Sequence, residues 1–243
     1  MIFDWLRHHL YFTLSLGLFC ATACCLTIWP RPRWPLLLSA VLAIPSALLS
    51  VIFIPAYWNP KLIMPFVPAI EDFLFSIAAG GTVWIAATWP FRSRLVFPDR
   101  ITFRLRRYVL WWIPGLILFA ITYVMLRLPA MFATLIPMII LTLLICTVQR
   151  RLWPLAMAGS IGFGAVYAFG LVLTRLCFPA LFTQWTNHNL CGIQVAGIPV
   201  EEFLWSAAYG GVWPCLMAHV FDVQFQESPL PFGAAMDPVM PDH

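Results

Sequence analysis

Charged residues are the scarcest class in this 243-residue chain, since only 10% of its residues are charged and 62% are hydrophobic. A soluble domain carries about a quarter charged residues, so a chain of this length could not cover a globular surface with so few. The net charge of +4 is small and dispersed over the loops, and it offers no basic patch for nucleic acid. The composition indicates an integral membrane protein whose solvent is lipid.

Several sequence motifs that are typical of cofactor binding are absent. There is no G-x-x-x-x-G-K-[ST] phosphate loop and no dinucleotide fingerprint after a strand, because the run GSIGFG at 159–164 has the wrong spacing and lies in an apolar segment. No pair of Asp-rich motifs could hold Mg²⁺ and a diphosphate. The seven cysteines form no C-x-x-C pair, and the five histidines lack metal-ligand spacing. The sequence therefore predicts neither a cofactor nor a metal site.

Long apolar segments dominate what is present. A helix needs about 20 apolar residues to cross the hydrocarbon. Seven segments approach this length and predict an all-α protein with about seven transmembrane helices, at 10–29, 35–57, 70–91, 108–127, 129–149, 153–174 and 199–221. The tail from Asp222 onward is polar and rich in proline, and we expect it to be poorly ordered.

The loops give an orientation. With seven spans, ten of the 14 lysines and arginines fall on one side of the membrane and four on the other. Cytoplasmic loops carry the excess of these residues. We therefore expect the N-terminus to lie outside and the C-terminus to lie in the cytoplasm.

The chain contains an internal repeat. Residues 71–81 read EDFLFSIAAGG and residues 201–211 read EEFLWSAAYGG, with seven of the eleven positions identical. A shared motif at this separation indicates a duplicated unit. The predicted organisation is a first three-helix repeat at 1–107, a connecting helix at 108–128, a second repeat at 129–221 and a tail at 222–243. The two repeats are predicted to be parallel, which is less usual in transporters than the inverted arrangement.

Four of the ten acidic residues lie at the starts of two predicted membrane helices. They are Glu71, Asp72, Glu201 and Glu202. An ionisable group in the hydrocarbon costs about 2.5–3.5 kcal/mol, although acids are also favoured at helix N-termini by the dipole. A single pair would be interpreted as helix capping. Two matched pairs in matched contexts favour a functional role.

Paired carboxyls in an apolar setting suit general acid/base chemistry without a metal. A carboxylic acid that stays protonated can give a proton to an apolar substrate, and an ionised neighbour can take one back. Aromatic residues accompany both motifs, namely Trp58, Phe73, Phe75, Trp185, Phe203, Trp205 and Tyr209. They are either packing at the membrane interface or a cation–π environment for a carbocation. The paired glycines of each motif serve either close helix packing or room for a substrate.

These residues resemble a known family. Each half carries a tryptophan-containing loop followed by a Pro-x-Glu-Glu/Asp motif and Phe-Leu-Phe, and this pattern is similar to that of the integral-membrane lycopene cyclase domain family. The second half gives PVEEFLW at 199–205, a full match, whereas PAIEDFLF at 68–75 has one extra residue between proline and glutamate. The duplicated layout is similar to single-chain fusions of the two short subunits found in other members.

The resemblance implies a reaction. The linear ψ-end of lycopene, or of a similar acyclic carotenoid, would be protonated by a carboxylic acid, closed by attack of the neighbouring double bond and deprotonated to a β-ring, with no net redox change. We expect Glu201 and Glu71 to be the main acid/base groups and Glu202 and Asp72 their partners. Six of the aromatic residues would bind the substrate, namely Trp58, Phe73, Phe75, Trp185, Phe203 and Trp205. A bacterial inner membrane, lipid contact and other carotenoid-pathway enzymes as possible neighbours fit this hypothesis.

Two alternatives stay open. A hydratase acting on the same ψ-ends would capture the same cation with water, and a polar group such as His188 or Asn187 could deliver that water, although His188 is more simply a solvated loop residue. A non-enzymatic membrane subunit or transporter would place the acids along a water path or a protein interface, away from a shared cavity.

Overall fold

The chain folds as a bundle of α-helices. The computed structural model describes residues 2–29, 32–98, 101–186 and 189–226. Its helices are α1 (Ile2–His8), α2 (Leu10–Ile28), α3 (Trp34–Leu42), α4 (Ser50–Phe53), α5 (Ile70–Thr88), α6 (Leu105–Ala120), α7 (Ala130–Val148), α8 (Trp153–Cys177) and α9 (Val200–Val220). The fold also contains two antiparallel pairs of two-residue strands: β1 (Leu95–Val96) with β4 (Gln224–Phe225), and β2 (Gln194–Val195) with β3 (Ile198–Pro199).

Among the described residues, six helices are long and apolar enough to cross a membrane. They correspond to the first six predicted spans, and the all-α polytopic fold is confirmed. The seventh predicted span forms α9, which has 21 residues but is not one of the six. It begins with two acids, and most of its residues are buried against neighbouring helices. A central helix that protein shields from lipid does not need a uniformly apolar surface.

The second predicted span is one membrane crossing but not one regular helix. It consists of α3, a 3₁₀ segment at Ile44–Leu49, and α4. Pro45 explains the change, because proline has no backbone N–H to donate and its ring disfavours a continuous α-helix. The Ala43 carbonyl accepts from both the N–H and the hydroxyl of Ser46, at 2.9 and 2.7 Å.

The centre of the bundle is formed by α5 and α9, the two motif helices. Near their first turns, the rings of Phe75 and Trp205 lie 6.0 Å apart. Further along, Trp213 Nε1 donates to Ser39 Oγ at 3.0 Å, and Ser39 Oγ donates to the Gly80 carbonyl at 2.8 Å. Contacts at both levels show that the two helices run side by side in the same direction.

Both glycine pairs serve helix packing. A Cβ on Gly81 would overlap the side chain of Thr22 on α2, and a Cβ on Gly211 would lie 2.8 Å from the Ser160 hydroxyl on α8 and 3.4 Å from Thr142 on α7. The preceding glycine of each pair packs against α3 in the first half and against α8 in the second. The two halves therefore use their glycines in the same way, for close helix approach and not for substrate room.

The end of α9 is tied to the rest of the bundle, which corrects the prediction for the start of the tail. Asp222 forms ion pairs with Arg104 and Arg107. Just beyond it, β4 pairs with β1, and the Gln226 N–H donates to the Arg94 carbonyl at 2.7 Å. Residues 222–226 are thus part of the fold, because their polar groups find partners that the composition alone does not show. Residues 227–243 lie outside the described part of the chain.

We expect Asp222→Asn to lower stability slightly at neutral pH. Partial burial alone would raise the pKa of the Asp222 carboxyl, but hydrogen bonds and charge from Arg107 and Arg104 hold it below its ordinary value. A depressed folded-state pKa stabilises the protein above the unfolded pKa of about 3.9 and ceases to do so as the pH falls through the folded value. Because the carboxylate is partly solvated, the loss should be at most about 3 °C in Tm. Thermal unfolding of both proteins from pH 7 to pH 3 tests this, and the difference should shrink below pH 4. A difference that persists unchanged at pH 3 would contradict it.

Candidate active site

All four motif acids are buried in the bundle. Their exposed fractions are 0% for Glu71, 4% for Asp72, 1% for Glu201 and 6% for Glu202. Each pair occupies the first turn of its helix. Neighbouring positions on an α-helix point about 100° apart, so the two acids of a pair face different surroundings.

Glu71 and Glu201, which we call the outer acids, face the loops that lead into their helices. Glu71 Oε1 accepts a hydrogen bond from the Ile63 N–H at 2.7 Å, and Glu201 Oε1 accepts one from the Cys191 N–H at 2.6 Å. The other carboxyl oxygen of each is buried without a hydrogen-bond partner. The two outer acids are structural equivalents, and each fixes the backbone of its own loop.

Asp72 and Glu202, which we call the inner acids, each accept hydrogen bonds from tyrosine side chains. Asp72 Oδ1 accepts from the Tyr11 hydroxyl at 2.8 Å, and its Oδ2 accepts from the Ala69 N–H at 2.7 Å. Glu202 accepts three side-chain hydrogen bonds, from Tyr57 at 2.7 Å, Tyr167 at 2.8 Å and Trp185 at 3.0 Å. The donors to Glu202 come from both halves of the chain.

The inner acids line one cavity of about 330 Å³, and the outer acids do not. This is the size of a small-molecule pocket, about 300–1,000 Å³. Besides apolar side chains and the two acids, its lining includes six serine or threonine residues and four tyrosines. Ten aromatic side chains line it: Tyr11, Phe53, Tyr57, Trp58, Phe75, Phe163, Tyr167, Trp185, Trp205 and Tyr209. A cavity of this volume can hold a small molecule or one end of a longer one.

The two tryptophan loops pair with each other across the repeat. Trp58 and Trp185 form an isolated antiparallel bridge, with ring centroids 5.4 Å apart. The Thr186 N–H donates to the Tyr57 carbonyl at 2.8 Å. Burial, and then the adjacent Glu202 carboxyl, raise the pKa of the Tyr57 phenol far above its ordinary value, so this group stays protonated and donates. The paired loops thus close one end of the cavity with groups from both halves.

Four of the six aromatic residues predicted to bind substrate line the cavity. They are Trp58, Phe75, Trp185 and Trp205, whereas Phe73 and Phe203 do not line it. Phe73 and Phe203 each follow an inner acid directly, so they point about 100° away from it.

The helical spacing of the motif residues indicates which acid shares a helix face with the cavity-lining aromatic residues, and the sequence prediction did not use this spacing. Glu202, Trp205 and Tyr209 have the spacing i, i+3 and i+7 and share one face of α9, and all three line the cavity. Asp72 and Phe75 have the corresponding spacing on α5. This pattern favours the inner acids over Glu71 and Glu201, which the sequence analysis ranked first.

Three tyrosines were missed by the sequence analysis. Tyr11, Tyr57 and Tyr167 donate to the inner acids from elements outside the repeated motif. The chain has only six tyrosines, and a buried phenol in an apolar helix needs a hydrogen-bond partner. The small number of tyrosines in a chain of apolar helices was therefore the sequence signal that could have identified these three residues.

No histidine or cysteine of the described residues lines the cavity. Within the described ranges, no cluster of three or more histidine, cysteine, aspartate or glutamate side chains could hold a metal ion. Asn187 and His188, which were considered for delivery of water, lie outside the described residues.

The fold and the cavity define a polytopic all-α membrane protein with a buried acidic and aromatic site between its two halves. Residues 129–220 match the family model described as lycopene cyclase, so the second half of the chain is similar to this family. The resemblance inferred from the motifs is thereby confirmed at the family level, which indicates an enzyme of carotenoid cyclisation. No curated protein and no solved structure matched the chain. The matched segment runs from just before α7 to the end of α9 and contains Glu201 and Glu202.

Proposed function

We propose that the protein converts the linear ψ-ends of lycopene, or of a similar acyclic carotenoid, to β-rings in a single composite site. The observation that carries this proposal is that Asp72 of the first half and Glu202 of the second line the same aromatic cavity. Each half alone would supply one inner acid and part of the wall. In a site shared in this way, both copies of the repeat are required for the reaction.

The hydrogen bonds to the two inner acids indicate which of them donates a proton and which accepts one. Hydrogen bonds to a carboxylate favour its ionised form, and Glu202 accepts three from side chains while Asp72 accepts one from a side chain and one from the backbone. In this proposal Asp72 gives its proton to the terminal double bond. The neighbouring double bond then closes the ring, and Glu202 removes a proton from ring carbon. Before the next turnover Glu202 releases its proton to water and Asp72 takes one up from water, so the reaction is an isomerisation with no net change in atoms.

The cavity walls support the cationic stage of this reaction. The face of an aromatic ring attracts a cation, and the rings of Phe75, Trp205 and Tyr167 lie within 6.5 Å of one another. A wall of this kind would stabilise the carbocation that ring closure requires.

The outer acids have a supporting role in this proposal. Glu71 and Glu201 hold the loops that carry Trp58 and Trp185, through the Ile63 and Cys191 N–H groups. The position of the inner acids in a shared cavity, and not at a lipid headgroup surface, also argues against the non-enzymatic alternative.

Expression in a lycopene-accumulating bacterium tests the proposal. We expect lycopene to be converted to a monocyclic or bicyclic carotene of the same mass, beside an unchanged control strain without the protein. In D₂O each new ring should retain one deuterium, because the added proton is exchangeable and the removed one comes from carbon. Unchanged lycopene with well-inserted protein would overturn the proposal, and a hydroxylated product would identify the hydratase instead.

A further inference from the structure

One place in the cavity wall reaches the outer surface of the bundle. Of the residues that line the cavity, all of which belong to the described ranges, Val166 on α8 alone is exposed, with 50% of its surface accessible. Val166 continues into a stripe of exposed apolar residues on the same face of α8, Phe169 at 71% and Leu173 at 50%. Because α8 is a membrane-spanning helix, the cavity meets the lipid at this position.

Gly170 lies one turn beyond Val166 and also lines the cavity. The other glycines of α8 have neighbours: a Cβ on Gly159 would overlap the Gly210 carbonyl, and one on Gly162 would lie 3.2 Å from the Ala86 carbonyl. A Cβ on Gly170 would meet no atom within 4 Å, and its backbone does not have a positive φ. Neither helix packing nor backbone conformation requires glycine here, so what it provides is open space.

We propose that the α8 wall at Val166 and Gly170 is the lateral mouth through which the carotenoid passes from the lipid to the inner acids. This inference rests on the proposed function. Tyr167, between these two residues in sequence, donates to Glu202 at 2.8 Å, so an end group that passes the mouth arrives directly at the base. The apolar remainder of the polyene, which the cavity cannot hold, lies along the exposed stripe of α8 in the lipid.

Gly170→Trp tests the mouth, and Gly17→Trp is its matched control. Gly17 is an exposed glycine of the membrane helix α2 that likewise has no atom within 4 Å of a Cβ, but it does not line the cavity. We expect Gly170→Trp to slow lycopene conversion by about tenfold to a hundredfold, because the indole would fill the open space through which the substrate has to pass. Gly170→Ala should have a smaller effect, and Gly17→Trp should convert lycopene at the wild-type rate.

A binding measurement separates this inference from the proposed function. Lycopene held in a chiral protein site acquires circular dichroism in the visible region, and this signal can be recorded on purified Glu202→Gln protein, in which turnover is blocked. Adding Gly170→Trp should remove the signal, and adding Gly17→Trp should preserve it. The mouth is refuted if Gly170→Trp converts and binds lycopene as the wild type does, or if both tryptophan variants lose activity equally. If wild-type protein binds lycopene but forms no ring, the cyclase proposal fails while the binding comparison still decides the mouth.

Discussion

Replacement of Glu202 by glutamine should abolish ring formation, lowering the rate of lycopene conversion by about a hundredfold to ten-thousandfold. Glutamine keeps the shape of the side chain, and its carbonyl oxygen can still accept from Tyr57 and Trp185. It cannot accept a proton from the ring carbon, and its amide nitrogen cannot accept the hydrogen bond that Tyr167 now gives to Oε2. The measurement is the initial rate of conversion in membranes that contain equal amounts of inserted protein.

Glu201→Gln is the control for this prediction. Its carbonyl oxygen can replace Oε1 as the acceptor of the Cys191 N–H, so the loop keeps its anchor and the expected loss is about tenfold at most. The first half allows the same comparison. Asp72→Asn should lower the rate of lycopene conversion severely, and Glu71→Gln should lower it only mildly. If Glu201→Gln inactivated the protein as fully as Glu202→Gln, the outer acid would have to take part in the chemistry.

Much of this architecture was predictable from the sequence because it depends on local pattern. The apolar segments predicted the helices, and the repeated motif predicted that both acid pairs would stand at the starts of parallel helices. The family followed from the same short motifs. Even the choice between inner and outer acids had a local signal, since Glu202, Trp205 and Tyr209 share one helix face.

The rest of the site depends on contacts between distant segments. Tyr11 lies 61 residues from its partner Asp72, and Tyr57 lies 145 residues from Glu202. No periodicity relates such residues, because it is the packing of the two halves that brings them together. The pairing of the two tryptophan loops has the same origin, and so does the burial that lets α9 remain partly polar inside a membrane bundle.

The crossing of α8 and α9 should be the most sensitive point of the fold. Gly159 and Gly210 bring the two backbones into direct contact, and a Cβ on either would overlap the carbonyl oxygen of the other. Backbone atoms cannot move aside as a flexible side chain can, so the helices would have to separate. We expect Gly210→Leu to prevent stable folding, and Gly210→Ala to cost about 1–3 kcal/mol or more.

Gly164→Ala is the matched control, since a Cβ there would lie at an ordinary 3.9 Å from Ala207 on the same helix pair. Thermal unfolding in detergent should show a clear fall in Tm for Gly210→Ala and almost none for Gly164→Ala. Because α8 carries Tyr167 and α9 carries Glu202, separation of the helices should also lengthen their hydrogen bond. The fraction of Gly210→Ala protein that stays folded should therefore cyclise lycopene more slowly per molecule. Wild-type Tm and rate in Gly210→Ala would show that the two helices do not meet at these glycines.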